Sequence, residues 1–178
     1  MDDSSVLLLT EDQRGVGFFQ KLIERLKGEG LIERAIKVDV KWLHGKCNTK
    51  AGRIISVKAA TTPLARIIVV VDADGRAKER VRHEVEQHVP PHLRRITRYI
   101  VFNHCLEEWL CEGMHVEWRG RHPIRALNEH LRRKKGIDYE KYLLPSFVEE
   151  LDLSSLVQNN EEFASFLKAL RHEELASH

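Results

Sequence analysis

Arg66-Ile67-Ile68-Val69-Val70-Val71-Asp72-Ala73-Asp74-Gly75 decides the fold. An unbroken run of Ile and Val, with no polar residue at every second position, is what a strand covered on both faces needs, and such strands belong to parallel sheets packed between helices. Upstream, Val6-Leu7-Leu8-Leu9-Thr10 is a second continuous apolar run. It is followed by Phe18, Phe19, Leu22, Ile23 and Leu26 at helical spacing, which makes a first strand-helix unit. Ile36, Val38, Val40 and Trp42 alternate with Lys37, Asp39 and Lys41, the period of two of a half-exposed strand near a sheet edge. Asn48 or Thr49 can cap a helix running to about Ala60, before Pro63 stops it. Downstream, Val81, Val85 and Val89 recur every four residues up to Pro90-Pro91; Ile96 to Phe102 reads as a strand and Cys105 to Cys111 as a helix. The order is βαβαβαβα, an α/β domain. Beyond it, short amphipathic helices are expected around Pro123 to Lys135, Pro145 to Leu151 and Glu161 to Arg171.

A chain of 178 residues with 42% apolar and 31% charged residues can bury a core and is too hydrophobic for disorder. Its apolar runs fall far short of the roughly 20 residues that span a bilayer. The opening Met1-Asp2-Asp3 lacks the basic start of a signal peptide, so a soluble, cytoplasmic protein with no membrane partner is expected. The three cysteines, Cys47, Cys105 and Cys111, form no CxxC pair, which excludes a zinc ribbon and a disulfide framework. Charge is near balance at 29 Lys and Arg against 27 Asp and Glu, but it is unevenly spread. Segment 119–135 holds seven basic residues against one Glu, and 136–178 three against nine acidic ones. Arg132, Arg133, Lys134 and Lys135 are therefore the candidate phosphate-facing surface for a nucleic-acid partner; a solvated helix face is the bland alternative.

Three acidic positions stand at or just past predicted strand ends, where open parallel sheets bind ligands: Glu11, Asp72 with Asp74, and Glu107 with Glu108. In Asp72-Ala73-Asp74 the two carboxylates lie two apart on a chain read as nearly extended. They point the same way and repel unless a cation sits between them. Magnesium suits such a pair, because it takes oxygen ligands from one or two carboxylates and leaves room for water or phosphate. Asp and Gly are also turn residues, so DxDG alone reads equally as a solvated strand-to-helix turn. Glu108 follows Glu107 on a helix, about 100° away, and is expected to face solvent.

The strand ending in Glu11, the strand ending in Asp72-Ala73-Asp74, and the two helices and strand between them resemble the TOPRIM domain of topoisomerases, DnaG-type primases and OLD-family nucleases. The stretch His104-Cys105-Leu106-Glu107-Glu108-Trp109-Leu110, then Tyr139-Glu140-Lys141, then Phe163-Ala164-Ser165-Phe166-Leu167, looks like a small stand-alone TOPRIM-like group of prokaryotic proteins. One departure is Glu11-Asp12-Gln13, where glycine commonly follows the glutamate. The resemblance implies a TOPRIM-like Rossmannoid domain over 1–118, with a four-stranded, mainly parallel sheet flanked by helices, and a helical extension over 119–178 packed on it. It further implies Mg²⁺, with Mn²⁺ as a substitute, on Asp72 and Asp74. Glu11 would be a metal ligand or general acid/base and Glu107 would complete the acidic cluster. The implied activity is phosphodiester chemistry on nucleic acid, nuclease first, at Glu11, Asp72, Asp74 and Glu107.

Two other readings compete. A non-catalytic nucleic-acid-binding or regulatory module could keep the acidic pocket for nucleotide binding or metal-dependent stability. Val69 to Gly75 also resembles the nucleophile motif of haloacid-dehalogenase-like phosphatases, but that motif belongs on a first strand and is followed by Thr rather than Arg76. Gly15-Val16-Gly17 lacks the third glycine of a dinucleotide loop, and His44 with Cys47 lacks a second zinc-ligand pair. Trp109, spaced from Leu106 and Leu110, is expected in the core.

Overall fold

A computed structural model describes residues 5–45 and 49–172. Strands β1 (Ser5–Thr10), β2 (Lys37–Trp42), β3 (Arg66–Asp72) and β4 (Thr97–Phe102) form one sheet in the order β2-β1-β3-β4, with all three pairings parallel. The helices are α1 (Gln13–Gly28), α2 (Thr49–Thr61), α3 (Lys78–Glu86), α4 (Glu107–Gly113), α5 (Pro123–Lys135), α6 (Leu153–Asn159) and α7 (Glu161–Leu170). Tighter 3₁₀ turns cover Pro91–Ile96 and Lys141–Glu150. The second of these stands where an α-helix was expected from Pro145. A proline inside the segment removes a backbone donor and crowds the preceding turn, so the chain tightens instead. Helix α6 had no separate expectation. The cap expected at Asn48 lies outside the described residues.

The uninterrupted apolar runs of β1 and β3 have the reason anticipated for them. Alternate side chains enter two separate cores. Val6, Leu8, Ile68 and Val70 face α1 and the C-terminal helices, whereas Leu7, Leu9, Ile67, Val69 and Val71 face α2 and α3. Strand β2 is an edge strand, as its alternation implied, with Val40 its one buried residue. The larger core centres on Trp109, fully buried, whose ring stands 4.9 Å from Phe102, 5.0 Å from Phe163 and 5.4 Å from Phe166. Edge and tilted contacts of this kind add to the area term. The aromatic residues of α7 thus close the sheet face that α1 and α4 leave open. Among the described residues, no helix is long and apolar enough to cross a membrane.

The strand order has a functional consequence. From β1 the chain crosses through α1 to β2 on one side of the sheet; from β3 it crosses through α3 to β4, toward the opposite edge, with α3 on the other face. The two connections diverge from neighbouring strand ends and leave a crevice at the carboxyl ends of β1 and β3, the switch point where open parallel sheets take ligands.

Candidate metal and catalytic site

Glu11 and Asp72 meet at that crevice. β1 and β3 pair through Thr10 and Val70, and the ladder runs one step further, the Glu11 N–H donating to the Val70 carbonyl at 3.2 Å. The Glu11 side chain then turns across, and its Oε2 accepts the Asp72 backbone N–H at 2.7 Å. On the other flank, Trp42 at the end of β2 donates its indole N–H to the Glu11 carbonyl at 3.0 Å. The residues after β3 are held to the loop after β4 by three backbone bonds, from Ala73 N–H to Phe102, Asp74 N–H to His104 and Gly75 N–H to Asn103. Asp12, standing where the resemblance leads one to expect glycine, is the N-cap of α1 and accepts the Arg14 N–H at 2.8 Å.

The two aspartates of the DxD do not share an extended backbone, contrary to the sequence reading. Strand β3 ends at Asp72, and Asp74 has φ 51° ahead of Gly75 at φ 81°, both in the left-handed region. The tight turn after β3 requires it, and Asp and Gly tolerate it. Asp74 is exposed, while Asp72 is mostly buried. Burial, followed by the charges of Glu11 and Glu107 and more weakly Asp74, pushes the Asp72 carboxyl up to about 8, with Lys141 pulling the other way. Asp72 is thus a carboxyl kept protonated at neutral pH by negative neighbours.

Glu107 opens α4 and is fully buried. Its Oε1 accepts the Tyr139 hydroxyl at 3.0 Å and pairs with Lys141 Nζ at 2.7 Å; its Oε2 is buried with no hydrogen-bond partner. Lys141 also reaches Asp12 Oδ2 at 2.8 Å. Burial opposes the Lys141 charge, but Glu107 and Asp12 outweigh it and hold the ammonium above the usual lysine range. The Cys105 thiol is pushed far up by burial and by Glu107, so it is no nucleophile here. Sequence reasoning missed this part of the site. Tyr139 and Lys141 stood in a quoted motif without a role, and no local signal tells that the turn carrying them packs against α1.

Glu108 does not face solvent. It is 5% exposed, and its Oε2 accepts the backbone N–H groups of His104 and Cys105, at 2.5 and 3.0 Å. The donors at the start of α4 need an acceptor, and a carboxylate one turn on supplies it, which keeps Glu108 inside. His104, above this cap, has its ring 5.3 Å from His122 and 6.0 Å from Trp118 beside Gly75.

The basic end of α5 is exposed, but half of it is engaged within the chain. Arg132 pairs with Asp138 and Lys135 with Glu150, while Lys135 also stands 5.5 Å from the Phe147 ring. Arg133 and Lys134 are exposed between them.

As the side chains stand, among the described residues no three His, Cys, Asp or Glu are already gathered into a metal-holding group. The donor type nevertheless fits a hard cation: carboxylate oxygens from Glu11, Asp72 and Asp74, beside a buried Glu107 oxygen with no partner. No family model, no curated relative and no solved structure matches the chain.

Proposed function

We propose that the chain is a metal-dependent enzyme of TOPRIM type acting on nucleic-acid phosphodiesters, with nuclease activity as the reaction. The observation that carries this reading is the protonated state of Asp72, raised to about 8 by burial and by Glu11 and Glu107 at a parallel-sheet switch point. Carboxylates packed so closely call for a cation, and Glu11, Asp72 and Asp74 would hold one. A divalent ion there neutralises charge on a phosphate and lowers the pKa of a bound water. Glu11, fixed by the Asp72 N–H, would hold or accept a proton beside the reacting phosphate. Exposed Arg133 and Lys134 would take the backbone of the nucleic acid.

The test incubates the protein with labelled single- and double-stranded DNA and RNA in Mg²⁺, Mn²⁺ or EDTA, beside the folded D72N/D74N variant. Cleavage that needs metal and disappears in the variant is expected. Binding without cleavage, equal in both proteins, would replace this reading with that of a non-catalytic nucleic-acid-binding module.

A further inference from the structure

The acidic end of the sheet holds five carboxylates, Glu11, Asp12, Asp72, Asp74 and Glu107, and one of its cations is built into the chain. Lys141 Nζ stands 2.7 Å from Glu107 Oε1 and 2.8 Å from Asp12 Oδ2. Tyr139 donates to the same Glu107 oxygen at 3.0 Å, so both donors converge on one side of a carboxylate that has no exposed surface. A buried carboxylate in this position needs a positive partner, and an ammonium supplies one charge without the coordination shell of an ion. The other Glu107 oxygen, buried and without a hydrogen-bond partner, stays unserved.

We propose that Lys141 is a resident cation standing in for a second metal, so that the pocket takes a single divalent ion, at Glu11, Asp72 and Asp74, with Glu107 and Asp12 committed to the lysine. This rests on the metal-dependent reading given above. The charge count favours it. Pairing Asp12 and Glu107 with Lys141 leaves three carboxylates for incoming cations, one of them, Asp74, on an exposed turn. A second divalent ion would have to take Glu107 or Asp12 from an ammonium already in contact, and like charges at that range repel. Lys141 is therefore a positioning residue: it holds Glu107 and the start of α1, and it sets how many ions the site accepts.

The test counts ions rather than turnover. Metal-free protein is titrated with Mn²⁺, and the ions bound per chain are read from the electron paramagnetic resonance signal of free Mn²⁺. Wild type is expected to bind one, K141R one and K141M two. K141M/E107Q, which removes both charges of the pair, returns the count to one and guards against a K141M chain that fails to fold. Two ions on the wild type, or a folded K141M that still binds one, would overturn the inference while leaving the metal site standing. No ion on the wild type would instead remove the metal-dependent reading itself.

Discussion

Replacing Asp72 by Asn tests the electrostatic heart of the site. In the folded protein, burial and the charges of Glu11 and Glu107 raise this carboxyl from 3.8 to about 8. Between those values the native state keeps a proton that the unfolded chain has lost. Stability is then fully present below the lower value and declines as pH rises through the higher one. Each pH unit inside the window is worth about 1.4 kcal/mol, so wild type should lose about 3 kcal/mol between pH 5 and pH 7 from this group alone. Asn carries no charge at either pH, and the D72N protein should lack that component of the fall. The assay is urea unfolding in EDTA at the two pH values, with the slope of each transition checked for constancy. Mg²⁺ added at pH 7 should restore wild type more than D72N, because an ion held by Asp72 replaces its proton. Parallel pH dependence in the two proteins would refute the reasoning, since Asp72 would then titrate alike in the folded and unfolded chains.

Four further outcomes are expected. Y139F removes the hydroxyl that serves buried Glu107 and should cost about 1–2 kcal/mol in urea unfolding, with the fold retained. E108A strips the acceptor from the His104 and Cys105 N–H groups and should cost about 1–3 kcal/mol; E108Q, which keeps an oxygen there, should cost less. In G113A the added methyl would lie 2.7 Å from Leu151 Cδ2 and 3.1 Å from Leu156 Cδ1, so the thermal midpoint should fall by the equivalent of about 1–3 kcal/mol. R133E/K134E should weaken binding to labelled nucleic acid and lower the log–log salt slope by up to about 2, since each lost phosphate contact removes about 0.9. R132E/K135E, whose native cations are already paired with Asp138 and Glu150, should lower it less.

Periodicity and composition made the sheet legible. Runs without alternation at Val6 to Thr10 and Ile67 to Val71 specify strands buried on both faces, and the alternation at Lys37 to Trp42 specifies an edge. These are local properties, set by which side chains water must be kept from, and a linear pattern records them. The same pattern located Glu11 and Asp72, because a strand end is where an apolar run stops. What surrounds those acids was decided elsewhere. Glu108 turned inward because unpaired backbone donors at the start of α4 needed its carboxylate, a demand created by the helix and invisible in helical spacing. Asp74 left the line of β3 because the turn required a left-handed backbone. Lys141 reached Glu107 across 34 positions of sequence because the turn carrying it packs on α1. Strand order, too, which puts the crevice between β1 and β3, comes from how the helices share the two faces of the sheet. Charges that meet only after folding, in a pocket that excludes water, have no signature in the order of residues; their pairing is a property of the packed chain.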